Sequence, residues 1–138
     1  MGKVEEIARV HYDGLLEEFD AVGIVPDLEY EHIEAVWKER IWEGNKSILV
    51  HTNKNGKVVG FLATYKEGTM LYVDKSYQRQ GIGKKLLEDS GIESVWIMVG
   101  NEKAQKFYRS QGFEPVEDRV VRKSGLAIKE LRWEKDAT

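Results

Sequence analysis

Residues 69–99 read TMLYVDKSYQRQGIGKKLLEDSGIESVWIMV, and this stretch decides the fold class. The runs at 69–74 and 94–99 are apolar and β-branched and have the length of strands. Between them, QRQGIGKKLLEDS at 78–90 is typical of a glycine loop that leads into a short helix over 81–90. The order strand, loop, helix, strand predicts an α/β domain.

The segments on either side extend this pattern. Apolar residues at helical spacing predict an amphipathic helix over about 4–20, which Gly14 weakens, and a second helix over about 29–42. SILVHT and KVVGFLATY predict two strands, and Asn53-Lys54-Asn55-Gly56 between them indicates a hairpin. A helix capped by Asn101 then precedes strands at about 113–121 and 126–133. We therefore expect a single domain over 1–138, a mixed α/β fold whose mostly antiparallel sheet carries helices on both faces.

The composition excludes several classes of protein. Among 138 residues, 21 are basic and 24 acidic, and a net charge of −3 argues against a nucleic-acid-binding protein. The absence of cysteine excludes disulfides, a cysteine nucleophile and a thiolate metal site, and we predict no metal site of another kind. No apolar run approaches the roughly 20 residues needed to cross a bilayer. The opening MGKVEEIARVHYDG has no apolar signal core, so we expect a cytoplasmic protein without membrane contact.

The glycine loop at 78–83 has the chemistry of a phosphate site. A junction of strand and helix presents backbone N–H groups and the positive end of the helix dipole, and Lys84 and Lys85 add positive charge. The Walker loop is excluded because Gln78 stands where it needs glycine. The dinucleotide fingerprint is excluded because Leu86 replaces its third glycine. The pattern that remains is Gln/Arg-x-x-Gly-x-Gly/Ala, and a plain strand-to-helix turn is the alternative.

A second block, NEKAQKFYRSQGFEP at 101–115, follows the loop. With the strand LYVDKSY, the loop QRQGIG and the strand SVWIMV, it resembles the GNAT superfamily of N-acetyltransferases. The specific motifs cover about residues 67–116, and looser similarity in element order extends over the whole chain. The resemblance implies transfer of an acetyl group from acetyl-CoA to a primary amine of a small molecule or protein. Transfer would be by direct attack in a ternary complex, without a covalent enzyme intermediate.

The resemblance also implies which residues bind the coenzyme. Its arm would lie in a splay between the parallel strands TMLYVD and SVWIMV. Backbone groups of Leu71, Tyr72 and Val73 would bind the pantetheine, and an N–H near Val73 would polarise the thioester carbonyl. The pyrophosphate would lie on the loop formed by Gln78, Arg79, Gln80, Gly81, Ile82, Gly83 and Lys84. The helix that follows 100 would supply Asn101, Lys103, Ala104, Phe107 and Tyr108. For Asn101 the alternative is a helix cap and nothing more, and Phe107 is expected in the core.

Two residues carry the predicted proton transfers. The resemblance implies that Tyr108 is the general acid that protonates the departing thiolate, and a core aromatic is the alternative. Glu67 occupies the position of a base glutamate in the histone-acetylating branch of the superfamily. A solvated glutamate in a turn, with ordered water as the base, is the other interpretation. His11, His32 and His51 are expected at the surface.

The chain departs from the family pattern between Gln78 and Asn101. This interval is shorter than usual, which shortens the helix after the glycine loop. A GNAT-fold module that binds a CoA ester, or nothing, and regulates without turnover is therefore the alternative function. The acceptor pocket is expected at residues 21–31 and 119–125, and the chain could also form a homodimer.

Overall fold

A computed structural model describes residues 2–42, 47–65, 68–123 and 126–135. The helices and strands follow the predicted order and type. They are α1 (Gly2–Ala21), α2 (Tyr30–Trp42), β1 (Ser47–Thr52), β2 (Val58–Tyr65), β3 (Gly68–Val73), α3 (Ile82–Ser90), β4 (Ser94–Met98), α4 (Glu102–Ser110), β5 (Phe113–Lys123) and β6 (Leu126–Lys135). A short 3-10 helix at Lys75–Tyr77, which the sequence did not indicate, follows β3.

The first of two compact units comprises Met1–Glu17 and Leu28–Gly91. Its sheet has the order β1-β2-β3, and both pairings are antiparallel. On one face, apolar residues of α1 and α2 pack against β2, and the Trp37 and Phe61 ring centroids lie 5.3 Å apart. The apolar side of α3, formed by Ile82, Leu86 and Leu87, is buried, and this helix contacts all three strands. A Cβ on Gly60 would meet Ile82 of α3 at 3.2 Å, whereas the adjacent Phe61 packs against α2, so the sheet carries helices on both faces, as predicted.

His11 lies inside this unit, where we expected a surface histidine. Its exposed fraction is 8%. The ring Nδ1 accepts a hydrogen bond from Trp37 Nε1 at 2.9 Å, and the ring of Tyr72 lies 5.1 Å away between centroids. Because the indole N–H needs a buried acceptor, the histidine completes the aromatic core, and the surface prediction is wrong.

The second unit comprises Glu18–Asp27 and Ile92–Thr138. Its sheet has the order β4-β6-β5, again with antiparallel pairings. Trp133 of β6 and Phe113 of β5 are each 1% exposed, and the guanidinium of Arg109 in α4 lies 5.1 Å from the Trp133 ring centroid. A bulge between Pro115 and Glu117 shifts the register of β5 against β6.

The strands β3 and β4 each lie at an edge of their own three-stranded sheet. All strand pairings within the described ranges are antiparallel, and the splayed parallel pair stays a prediction. In the part of the chain that the structure covers, no helix is both long and apolar enough to span a membrane.

Candidate functional site

The glycine loop forms an exposed helix N-terminus in the first unit. Gly81 is the N-cap of α3, with a φ of 84° in the left-handed region, and no side chain caps the helix. The N–H of Lys85 donates to Gly81 O at 3.0 Å, so the N–H groups of residues 82–84 precede the first intrahelical hydrogen bond. Arg79 also has a positive φ, 65°, which is uncommon outside glycine. This arrangement of unsatisfied donors can bind an anion.

The side chain of Gln78, the first residue of the loop, is hydrogen-bonded to β3 and α1. Its side-chain Nε2 donates to the carbonyl oxygen of Val73 at 2.9 Å and to Glu17 Oε1 at 3.2 Å. The first residue of the motif therefore uses its side chain to hold the end of β3 and α1.

The edge of β3 has peptide groups that alternate in direction. The N–H of Asp74 donates to Val59 O at 2.8 Å, which marks these two residues as a hydrogen-bonded pair. Because such pairs alternate along an antiparallel ladder, the peptide groups of Tyr72 are directed to Phe61 of β2, and those of Leu71 and Val73 are directed away from it. Tyr72 therefore differs from the prediction: its backbone belongs to the ladder and its side chain to the core.

Asn101 caps α4 in the second unit. The residue is 8% exposed, its Oδ1 accepts from the N–H of Ala104 at 3.2 Å, and its Nδ2 donates to Glu18 Oε2 at 3.4 Å. The predicted cap is confirmed. Contact with the coenzyme stays a prediction, as does the lining role of the exposed Lys103 and the half-buried Ala104.

Tyr108 lies about two helical turns after Asn101 on α4 and is buried. Its ring makes edge contacts with Phe107 and Phe113, at centroid distances of 5.0 and 5.4 Å. Burial raises the pKa of Tyr108, and the negative charge of Glu18 raises this pKa further. The hydroxyl therefore keeps its proton at neutral pH and can act as a hydrogen-bond donor. Tyr108 is part of the core, as one interpretation of the sequence had it, and also a candidate proton donor.

The hairpin β5–β6 forms part of the region where the acceptor pocket is expected. Arg119 and Glu130 are paired across it, and the guanidinium Nη2 lies 2.9 Å from Glu130 Oε1. Glu130 is 1% exposed, and the Arg119 guanidinium also lies 3.8 Å from the ring centroid of Trp96. The charge of Glu130 and the aromatic face of Trp96 therefore hold the Arg119 guanidinium in place.

Two glutamates of α1 bind candidate site residues although no sequence pattern distinguishes them. Glu17 accepts from Gln78, 61 positions away, and Glu18 accepts from Asn101, 83 positions away. No motif surrounds either residue, since both stand on the polar side of an ordinary amphipathic helix. The predicted base, Glu67, lies outside the described residues. Within the described ranges, no three histidine, aspartate or glutamate side chains form a group that could hold a metal ion.

Comparison with known proteins assigns the family. The family model described as an acetyltransferase (GNAT) domain matches residues 43–115. A mycothiol acetyltransferase from Corynebacterium glutamicum is 34% identical over 66% of this chain and 30% of its own length. The Escherichia coli [ribosomal protein bS18]-alanine N-acetyltransferase is 32% identical over 56% of this chain and 64% of its own length. The chain thus spans less than two thirds of either curated relative.

Solved structures share the fold. The solution structure of apo YjaB from Escherichia coli superimposes with a TM-score of 0.73 at 20% identity, over 96% of this chain and 90% of that one. The ribosomal-protein-alanine N-acetyltransferase from Brucella melitensis superimposes with a TM-score of 0.66 at 20% identity, over 97% and 94% of the two chains. With the glycine loop, the capped helix α4 and a family match that covers more than half of the sequence, the chain belongs to the acetyltransferase (GNAT) domain family.

Proposed function

We propose that the chain transfers an acetyl group from acetyl-CoA to a primary amine, by direct attack in a ternary complex and without a covalent enzyme intermediate. The observation that carries this proposal is the uncapped N-terminus of α3 in the same loop as Gln78, whose side chain binds the carbonyl of Val73 at the end of the edge strand β3. An anion site and an edge of outward-directed peptide groups are what a long coenzyme with a pyrophosphate requires. Both lie inside the segment that matches the family.

The residues of the loop fit the pyrophosphate. A Cβ placed on Gly81 would meet no atom within 4 Å, so the space beside Gly81 is open. The N–H groups of residues 82–84 would bind the phosphate oxygens, and the exposed Arg79 and Lys84 would add positive charge. The remaining side chains of the loop are neutral, so none of them would repel an anion.

The edge of β3 would bind the pantetheine arm, and its last residue would serve the reaction. Acetyl-CoA, as co-substrate, supplies the activated acetyl group. The carbonyl of Val73 is occupied by Gln78, while its N–H is directed away from β2. That N–H would donate to the carbonyl oxygen under attack, where charge develops.

The proton transfers would involve Tyr108 and a base. Because its pKa is raised, Tyr108 would hold its proton and donate a hydrogen bond to the departing sulfur. For an acceptor with the basicity of lysine, deprotonation at pH 7 costs about 4.6 kcal/mol, so a base lowers the barrier. The family pattern assigns that task to Glu67 or to an ordered water.

The acceptor class is a primary amine of a small molecule or of a protein. The two curated relatives support both kinds, since one is named for a ribosomal-protein alanine and the other for mycothiol. We expect the reaction to take place in the cytoplasm.

A second candidate function is the binding of a CoA ester without turnover. The short helix α3, nine residues from Ile82 to Ser90, favours it because it covers less of the sheet than the family pattern requires. The two functions share the coenzyme site and differ in whether an amine reacts.

Calorimetric titration with acetyl-CoA, and with its desulpho and dephospho analogues, tests the shared site. We expect saturable binding that raises the melting temperature, because a ligand that binds only the folded state stabilises it. A panel of primary amines, assayed by release of free thiol, then separates the two functions. Binding with thiol release supports the transferase, and binding without release from any amine supports the second candidate. Absence of binding at millimolar coenzyme would contradict both.

A further inference from the structure

Glu18 is a half-buried carboxylate near the end of α1, and it interacts with two of the candidate site residues. Its Oε2 lies 3.4 Å from Asn101 Nδ2, and its charge acts on the Tyr108 hydroxyl. These three residues, which we call the Glu18 cluster, belong to the same compact unit. They bring together a carboxylate, an amide and a phenol.

The amide of the Glu18 cluster is held in one orientation. Asn101 Oδ1 accepts from the N–H of Ala104, so the amide plane is fixed by the cap of α4. Its Nδ2 is thereby directed to the carboxylate of Glu18. The same helix carries Tyr108 on its buried side. The carboxylate therefore lies at the start of the helix that carries the candidate proton donor.

In the Glu18 cluster, the phenol can act as the acid and the carboxylate as the base. Tyr108 keeps its proton, so it can give a hydrogen bond, while a carboxylate can accept a proton. A group that donates to the departing sulfur must lie next to the reacting carbon, and the attacking nitrogen must approach that same carbon. Asn101 holds the carboxylate of Glu18 at the start of α4, where it can receive an ammonium group that approaches this carbon.

We propose that Glu18 binds the acceptor amine in its ammonium form beside Tyr108 and takes its proton. The inference rests on the proposed transferase function and assigns the base to a residue other than Glu67. One N–H proton of the ammonium passes to the Glu18 carboxylate, and the freed electron pair forms the new C–N bond. The C–S bond of the thioester breaks with its electron pair on sulfur, and the thiolate is stabilised by the Tyr108 hydroxyl. The nitrogen loses a second proton as the C–S bond breaks, and the thiolate takes up one proton. The products are the acetamide and the thiol form of the coenzyme, with one proton released to solvent as Glu18 returns to its carboxylate form.

If Glu18 acts only by holding Asn101 in place, Glu18→Gln should retain full activity. The hydrogen bond with Asn101 needs only an acceptor oxygen, which a glutamine also supplies. Glu18→Gln therefore preserves the cap geometry and removes the charge and the basicity. Asp20→Asn is the matched control, since Asp20 is an exposed carboxylate one position before the last residue of the same helix.

The test compares two acceptors with acetyl-CoA as donor. One is the primary amine that gives most thiol release with the unmodified protein, and the other is its β,β,β-trifluorinated analogue, which is largely unprotonated at neutral pH. For Glu18→Gln we expect kcat/KM to fall about 100-fold with the first amine, the lower end of general base effects. With the fluorinated amine we expect a loss of less than about threefold, because no proton must be taken before attack. Asp20→Asn should match the unmodified protein with both.

Acetyl-CoA affinity and melting temperature are measured on each variant. Both should be unchanged in Glu18→Gln. If that variant fails to fold, Glu18→Asp keeps the carboxylate and should retain the ratio of kcat/KM between the two amines that the unmodified protein shows. An equal loss with both amines, or no loss, would overturn the role of Glu18 and leave the transferase standing. An unmodified protein that acetylates no amine would overturn the proposed function, and the role of Glu18 with it.

Discussion

The ring of Tyr72 in β3 packs against Gly14 in α1 so closely that a Cβ on Gly14 would overlap the Cδ1 atom of the ring. The glycine, which lowers the helix propensity of α1, therefore allows the helix to approach the edge strand of the first sheet. Tyr72 in turn contacts His11 and Phe61, so this close approach connects α1 to the aromatic core.

Replacing Gly14 with alanine should destabilise the protein by about 1–3 kcal/mol, the usual cost of overpacking a core. Without the Tyr72 contact, the same change inside a helix would stabilise by roughly 0.5–1 kcal/mol. Urea unfolding followed by circular dichroism measures the difference. Ala35→Gly, at an exposed position of α2, calibrates the propensity effect alone. A stabilised Gly14→Ala variant would show that Tyr72 moves aside freely.

The ion pair of Arg119 with the buried Glu130 should contribute to the stability of the second unit. Truncating Arg119 to alanine removes two charge-assisted contacts, at 3.0 and 2.9 Å, from a carboxylate that stays inside the fold. We expect a loss of about 2 kcal/mol, reduced from the fully buried case because Arg119 is partly exposed.

The same hairpin offers a control. Lys129 and Asp118 lie 3.5 Å apart, with both side chains 60% exposed. Lys129→Ala should therefore cost less than about 0.5 kcal/mol. Equal losses in the two variants, measured by chemical denaturation, would mean that the burial of Glu130 adds nothing to its pairing with Arg119.

Lys84 should contribute to coenzyme affinity through its charge. It is exposed beside the uncapped N-terminus of α3, so Lys84→Glu places a negative charge where the pyrophosphate is expected. We expect the dissociation constant for acetyl-CoA to rise about tenfold, which is about 1.4 kcal/mol, without loss of stability, because a carboxylate near a helix N-terminus interacts favourably with the helix dipole. Lys54→Glu, in the exposed β1–β2 turn, should bind as the unmodified protein does. Similar affinities of both variants in calorimetry would place the phosphates elsewhere.

The sequence predicted the helices and strands well where characteristic turn or capping residues mark their ends. The Asn53–Gly56 turn, the glycine loop and Asn101 before α4 each fix a boundary through backbone conformation or capping, which depends on neighbours in the chain. The polar partners were not predictable. The helical pattern predicts which side of α1 is apolar. It does not predict that Glu18 accepts a hydrogen bond from Asn101 or that His11 accepts one from Trp37. Those pairings depend on packing between distant segments.

The raised pKa of Tyr108 should make stability depend on alkaline pH. The phenol ionises near pH 10 in the unfolded chain, whereas burial and the Glu18 charge keep it protonated in the fold. Because the folded state binds the proton more tightly, this contribution is fully present below pH about 10 and is lost as pH rises above it. The melting temperature of the unmodified protein should therefore fall more steeply above pH 10 than that of Tyr108→Phe. Parallel curves would contradict the buried position of the hydroxyl.

Tyr108→Phe should separate catalysis from coenzyme binding. The ring contacts with Phe107 and Phe113 survive in phenylalanine, so the fold of α4 against β5 should persist. Only the hydroxyl is lost, and with it the hydrogen bond to the departing sulfur. We expect kcat to fall about 100-fold while the dissociation constant of acetyl-CoA stays within about twofold, since the effect belongs to the transition state. Phe107→Leu, which changes the neighbouring ring and leaves the hydroxyl, is the control for packing. If Tyr108→Phe keeps full turnover, the proton for the leaving thiolate comes from another group, and the role of Tyr108 is confined to the core.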